Sequence, residues 1–317
     1  MKKKILILGA GWYGCHAAMI LLRHNIDFKI YDITNGFFNK SSSKNQNRLH
    51  LGFHYSRSAK TRRECLIGFD KFMKTYGFLT VEIPKNYYIV DNKSLLDYET
   101  YCNIYTYEHV SYNKVEPDLE FDFIKDKYEG AIKVDERFIN FRKTKSYFEK
   151  ILAPYLIYYN NDNDEDYDYI FNCTYSKLED MYYEDCISLI YQYKGTDLFA
   201  TTLMDGKFFS IYPYDIEKGL YTLTDVEHTP FKEIDDIDSK IIKMEAKVKQ
   251  YIPDFDDWFV YKDHMISRKT KSNNNSDDRS FLCSSTDDRE YIMTGGKITG
   301  IFAMEDFIIN EILPKLL

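Results

Sequence analysis

The chain has 317 residues, 44% hydrophobic and 29% charged, which is enough apolar material for a large core and, at this length, for two domains. Its 42 basic and 50 acidic residues give a net charge of −8, which argues against nucleic acid as a general partner. No apolar run nears the roughly 20 residues of a membrane-spanning helix. The six cysteines, at 15, 65, 102, 173, 186 and 283, contain no C-x-x-C pair, so reduced cytoplasmic thiols are expected rather than a disulfide frame or zinc site.

In chain order, the first element is a strand, Ile5-Leu6-Ile7-Leu8. It runs into Gly9-Ala10-Gly11-Trp12-Tyr13-Gly14 and a helix from Cys15 to His24, and a second strand, Phe28-Lys29-Ile30-Tyr31, closes on Asp32. A G-x-G-x-x-G between strand and helix, with an acid about 20 positions on, seats a dinucleotide pyrophosphate on a helix N-terminus. Gly9 permits the tight turn, Gly11 the approach of the phosphates and Gly14 the close packing of helix on strand, while Asp32 accepts from a ribose hydroxyl. The motif alone does not separate NAD from FAD.

Residues 35–47 are polar, include Ser41-Ser42-Ser43, and continue without helical period through Arg48 to Tyr55. Ser58 caps a predicted helix from Ala59 to Tyr76 that turns Cys65, Leu66, Phe69 and Phe72 inward. Strands are expected at 80–83 and 87–90 around a turn at Pro84-Lys85, a helix at 95–105, a turn at 116–118, a strand at 130–134 and a helix at 138–152. An acidic solvated loop, 160–166, precedes a short buried strand at 169–172, and residues 187–227 alternate as several strands with turns at Asp205-Gly206 and Lys218-Gly219. A helix at 239–251 and an asparagine-rich loop at 269–278 follow. The strand Tyr291-Ile292-Met293 then leads into Gly295-Gly296-Lys297 and a C-terminal helix, a second helix start that would suit the far end of a long cofactor.

Four segments, in order, resemble the FAD-dependent oxidoreductase superfamily of D-amino-acid oxidase and glycine oxidase, to which glycerol-3-phosphate dehydrogenase and L-2-hydroxyglutarate dehydrogenase also belong. They are the glycine motif with Asp32; Asn45-Gln46-Asn47-Arg48-Leu49-His50-Leu51-Gly52-Phe53-His54-Tyr55, similar to the family's N-S-x-x-I-H-x-G-x-x-Y; Glu116-Pro117-x-Leu119 with Gly130-Ala131 and Val134-Asp135; and Gly295-Gly296-Lys297-Ile298-Thr299, similar to G-G-K-x-T. Cys173-Thr174-Tyr175-Ser176 departs from the family's usual glycine after the preceding strand. The resemblance implies an α/β fold: a Rossmann-like FAD-binding domain over 1–80, 130–180 and 265–317, and a second, mostly antiparallel β substrate domain carrying helices over 81–129 and 181–264. It further implies FAD as cofactor and hydride transfer to flavin N5 from a CH–NH or CH–OH group of a small polar, anionic or sugar-derived, substrate.

On that resemblance the cofactor residues are Gly9, Gly11, Trp12, Tyr13, Gly14 and Asp32; Ser43, Asn45, Arg48 and Leu49; Cys173 and Thr174; and Gly295, Gly296, Lys297, Ile298 and Thr299. Lys297 and the N–H groups beside it would stabilise negative charge on the reduced ring. His50, His54 and Tyr55 would lie along the ring, to orient substrate or take a proton, a task that neutral histidine suits near pH 7. Arg268 resembles the family's substrate-facing arginine, with Arg48 a second candidate for holding a carboxylate or phosphate. His50 and His54 lack a third ligand nearby in sequence, so no metal is expected. Two other readings stand beside this one: a non-redox flavoenzyme of the sugar-nucleotide mutase kind, and a dinucleotide-binding protein without catalysis. The expected partner is a small molecule, with no membrane span; a homo-oligomer stays open.

Overall fold

Strand β1 (Lys4–Leu8) is followed by helix α1 (Trp12–Arg23) and strand β2 (Asp27–Tyr31) in the computed structural model, which describes residues 3–158, 167–175, 181–206, 209–272, 281–285 and 289–316. Next come β3 (Arg48–Leu49), α2 (Ala59–Tyr76), β4 (Thr80–Glu82), β5 (Lys85–Asp91), α3 (Tyr98–Tyr107), β6 (Asn113–Val115), β7 (Tyr128–Lys133) and β8 (Arg137–Ile139). Then follow α4 (Phe141–Leu152), β9 (Leu156–Ile157), β10 (Tyr169–Asn172), β11 (Met181–Tyr193), β12 (Phe199–Met204), β13 (Phe209–Asp215), β14 (Leu220–Asp225) and β15 (Pro230–Phe231). The chain ends with α5 (Ile237–Val248), α6 (Phe255–Trp258), β16 (Phe259–Ser272), β17 (Leu282–Ser285), β18 (Glu290–Thr294) and α7 (Ile301–Phe307), which continues into further helical turns. Among the described residues no helix is long and apolar enough to cross a membrane.

These elements pack as two units, Met1–Ser43 with Phe141–Glu184 and Lys269–Leu317 in the first, and Lys44–Asn140 with Asp185–Arg268 in the second. By packing, therefore, residues 44–80 and 130–140 go with the second unit, where the sequence reading had grouped them with the first. The first unit holds a six-stranded sheet in the order β17-β18-β10-β1-β2-β9, parallel except for β17. Its helix α1 is apolar on nearly every side, as a helix covered by its neighbours must be, and packs against α4 and α7. The buried His16 Nε2 lies 3.0 Å from Glu305 Oε2, and Arg23 donates to Glu305 Oε1 at 2.6 Å, so one carboxylate clasps α1 to α7.

The second unit is built on a sheet ordered β15-β11-β14-β13-β12-β5-β7-β6, with β16 also pairing β11. Along that order pairing is antiparallel except between β12 and β5. A small antiparallel sheet, β3-β8-β4, pairs Arg48 with Phe138. An aromatic core fills one side of the large sheet, with Phe121, Tyr193, Phe199, Tyr221 and Phe259 ring against ring. A second core gathers Phe53, Tyr88, Tyr101 and Tyr105.

The expected helix at 59–76 is present, with Ser58 accepting from the Thr61 N–H. Two other helix starts differ from periodicity. Asp97 caps α3, so the helix begins at Tyr98 rather than 95, and Asp236 caps α5, so it begins at Ile237 rather than 239. Residues 137–139 form strand β8, and the helix expected from 138 starts at Phe141. The expected 269–278 loop is strand up to Ser272, and 273–278 lie outside the described residues, as does the acidic run 160–166. After Gly295-Gly296-Lys297 the chain makes one tight helical turn, Ile298–Gly300, before α7.

Candidate functional site

The glycine turn of the first unit is shaped by contacts that exclude side chains. Gly9 has φ +95°, and a Cβ there would sit 2.8 Å from the Cys173 carbonyl oxygen. A Cβ on Gly14 would lie 1.8 Å from the Gly9 carbonyl oxygen, so the helix meets the turn this closely only because Gly14 carries no side chain. Gly11 stands at the N-cap of α1 and brings no capping side chain. Ser42 Oγ accepts from the Trp12 N–H at 3.2 Å, and the N–H groups of Tyr13 and Gly14 have no intrahelical acceptor at the helix start. Such a cradle, with the positive end of a helix dipole behind it, fits a pyrophosphate.

Asp32 ties this turn together. Its carboxylate accepts from the Ala10 N–H and the Thr34 N–H, each at 2.8 Å, and from the Thr34 hydroxyl at 2.5 Å. Of the roughly four acceptor directions of a carboxylate, one is then left on Oδ2 for a ribose hydroxyl. Trp12 contributes only backbone toward the turn, since its ring packs on Phe38 and Phe148 at 5.3 and 5.6 Å. Ser43 closes a local turn on the Lys40 carbonyl, and it is Ser42 that reaches the glycine motif.

The second glycine turn belongs to the same unit and is gripped by the first. Tyr13 donates its hydroxyl to the Lys297 carbonyl at 3.0 Å. A Cβ at either Gly295 or Gly300 would fall 2.1 Å from that hydroxyl oxygen, so both glycines make room for Tyr13. Burial pushes the Tyr13 phenol well above its ordinary range, leaving it a donor. Neither this role of Tyr13 nor that of Gly300 is evident in the linear motifs. Cys173 donates its N–H to the Leu8 carbonyl at 2.8 Å, and burial pushes its thiol up to about 12, away from reactivity. Thr174 donates through its N–H and hydroxyl to Asn172 Oδ1, and Asn172 donates to Glu290 across the sheet.

The second unit places Arg48 at the centre of a buried polar cluster. Asn45 Oδ1 accepts from the Asn47 N–H at 2.6 Å, and Asn47 takes a positive φ of 50°, so the backbone turns sharply before entering β3. Leu49 points into the core, while Arg48 is only 6% exposed. Arg48 Nη1 donates to Thr202 Oγ1 at 2.9 Å and lies 3.2 Å from both Tyr88 Oη and His54 Nδ1. Nη2 donates to Ser210 Oγ at 3.0 Å and to Gln46 Oε1 at 3.4 Å. The guanidinium lies over the Tyr212 ring at 4.1 Å, and its Nε–H is buried with no acceptor.

Glu136 is the counter-charge. It is fully buried, accepts from Tyr88 Oη and from the Leu51 N–H, each at 2.8 Å, and has His50 Nδ1 3.7 Å from Oε1. Burial works against its ionisation, yet His50, Arg48 and the Tyr88 hydroxyl outweigh this and hold the carboxyl below the usual range. His50, His54 and Tyr55 form one ring group, with centroids 5.5 to 6.2 Å apart. Arg268, in contrast, is 56% exposed on its side chain and pairs with Asp185 at 3.1 Å. Glu136 and Tyr88 escaped the sequence reading, because Tyr88 is one of 29 tyrosines and Glu136 follows the quoted Val134-Asp135 without a motif of its own.

No protein-family model matches the chain. It is 32% identical over 339 residues to the FAD-dependent monooxygenase FPY4 of Fusarium mangiferae, covering 96% of this chain and 90% of that protein. It is 25% identical over 372 residues to the FAD-dependent monooxygenase kojA of Aspergillus flavus, covering 98% and 87%. Glycine oxidase from Geobacillus kaustophilus superposes with a TM-score of 0.72 at 10% identity, over 99% of this chain and 95% of that one. NikD, described as an unusual amino acid oxidase essential for nikkomycin biosynthesis, gives 0.71 at 11% identity, over 98% and 94%. With 32% identity across almost its full length, the chain belongs to the FAD-dependent monooxygenase family of FPY4, an FAD-dependent oxidoreductase family built on the fold of the D-amino-acid oxidase and glycine oxidase superfamily.

Proposed function

We propose that this protein binds FAD with its pyrophosphate on the N-terminus of α1 and oxidises a CH–NH or CH–OH group of a small polar substrate. The observation that carries the reading is the side-chain-free cradle of Gly9, Gly11 and Gly14, held by Asp32 and opened toward the start of α1. Bound FAD supplies a hydride acceptor at its N5. The chain's own residues do the rest. The α1 N–H groups and the free acceptor direction of Asp32 hold the pyrophosphate and ribose, and Lys297 with its neighbouring N–H groups, kept in place by Tyr13, faces negative charge. His54 in the second unit, with His50 and Tyr55 beside it and Arg48 buried behind it, binds and orients the polar end of the substrate.

The test is an anaerobic screen of small amines and alcohols against the purified yellow protein. Bleaching of the flavin absorbance by one substrate class, without added reductant, is the expected result, and protein that stays colourless after reconstitution with FAD would overturn the reading. The names of FPY4 and kojA favour a second reading, monooxygenation. It would be recognised by a requirement for an external reductant and by one atom of dioxygen entering the product, with the other leaving as water.

A further inference from the structure

Tyr13 stands between Gly11 and Gly14 in the glycine motif, and its backbone and side chain serve different parts of the first unit. Its N–H is one of the donors at the start of α1 that have no intrahelical acceptor. Helical side chains tilt toward the N-terminus, so the phenol extends past the start of α1 to the segment between β18 and α7. There its hydroxyl donates to the Lys297 carbonyl at 3.0 Å, and the same carbonyl accepts from the Gly300 N–H at 3.1 Å. The bond thus falls on the oxygen that closes the tight turn Ile298–Gly300. Burial keeps the phenol protonated and able to donate.

The surroundings are shaped to this hydroxyl. The Phe281 ring stacks on Tyr13 with centroids 6.3 Å apart and 18° between the planes. Gly300 has φ −61° and ψ −18°, a backbone that any residue adopts, so conformation does not call for glycine there. The phenol oxygen does, at 2.1 Å from where a Cβ would be. Without that oxygen the nearest atoms to the added Cβ are Tyr13 Cζ at 3.3 Å and Phe281 Cβ at 3.7 Å, contacts that a small shift accommodates. His16, three residues along the same face of α1, lies 3.0 Å from Glu305 of α7, and β18 is paired with β10. Both flanks of the 295–300 segment are therefore anchored in the unit, and Tyr13 grips its middle.

We propose that Tyr13 is a positioning residue that couples the two halves of the cofactor site, holding the Lys297 turn in its flavin-binding form through a hydroxyl that Gly300 makes room for. The proposal rests on the reading that FAD runs from the start of α1 to the Lys297 turn. A turn that populates its binding form only in part weakens the apparent affinity in proportion to that fraction. ADP, which ends at the pyrophosphate, does not draw on the turn and is the control for α1.

The experiment is equilibrium titration of the full-length, flavin-free protein with FAD and, separately, with ADP. The proteins compared are the wild type, Tyr13→Phe, Gly300→Ala and the double variant. Loss of one hydrogen bond should weaken FAD binding roughly three- to tenfold in Tyr13→Phe, while ADP affinity stays within about twofold of wild type. Gly300→Ala, which displaces the hydroxyl, should weaken FAD at least as much. The two losses should not add, so FAD affinity of the double variant is expected within about twofold of Tyr13→Phe alone. Additive losses overturn the proposal. Equal losses for FAD and ADP also overturn it, since Tyr13 would then merely support α1. Should Gly300→Ala not fold, the FAD and ADP affinities of Tyr13→Phe decide alone. Wild-type protein that does not bind FAD overturns the cofactor reading and the coupling with it, whereas FAD bound equally by wild type and Tyr13→Phe overturns the coupling only.

Discussion

Arg48 shows how a single buried charge organises its surroundings. Its direct partners are mostly neutral hydroxyls, on Tyr88, Thr202 and Ser210, and its compensation comes from Glu136 through Tyr88. Removing the charge of Glu136 should therefore cost more than a surface carboxylate would. Glu136→Gln is expected to lower stability by about 2 kcal/mol at neutral pH, read from the midpoint of urea unfolding. Because the folded state holds this carboxyl below its ordinary value, the contribution is complete above about pH 4.3 and is lost as pH falls through the lower folded value. An unchanged midpoint would mean that Arg48 needs no counter-charge.

At the level of elements, the clasp between α1 and α7 makes the first unit sensitive to acid. Burial lowers the His16 imidazole below its ordinary value, against the pull of Glu305, while the His16 and Arg23 contacts bring Glu305 down to about 2. A histidine depressed in the folded state binds its proton first in the unfolded chain, so its contribution is complete above about pH 6.5 and declines below it. Glu305 adds a further loss only below about pH 4.3. The melting temperature should thus fall between pH 7.5 and 5.5, and His16→Gln should flatten that slope; an equal slope in the variant would remove His16 as its source.

The same scale shows why part of the molecule was readable from sequence and part was not. The β1–α1–β2 unit is local: its strand, glycines and closing Asp32 lie within one stretch of chain, and Gly9 and Gly14 each have a backbone neighbour that demands a glycine. Helix starts at Tyr98 and Ile237 were shifted by aspartate caps, which periodicity does not weigh. The Arg48 cluster is tertiary. Pairing of β3 with β8 brings Arg48 near Glu136, and the sheet then presents Thr202 and Ser210 from β12 and β13. No spacing in the sequence announces that meeting. For the same reason Arg268, placed by resemblance alone, was expected to face substrate, while its described partner is Asp185.

For the molecule as a whole, the net charge of −8 sets a condition on holding a doubly anionic pyrophosphate. Long-range attraction is absent, so binding must come from short-range donors, the N–H groups at the start of α1. FAD at 100 times its Kd would then add about 2.7 kcal/mol to the stability of the folded chain. The most direct measurement is equilibrium titration of the flavin-free protein with FAD, followed by flavin fluorescence, in the wild type and in Gly11→Val. A valine there would meet Ser42 Oγ, 2.7 Å from the position of its Cβ, and would cover the N–H groups that the phosphates need. The account predicts saturable one-to-one binding in the wild type, weakened at least tenfold in a variant with unchanged far-ultraviolet circular dichroism, a loss of about 1.4 kcal/mol or more. Equal affinity in the two proteins, or no binding to either, would contradict it.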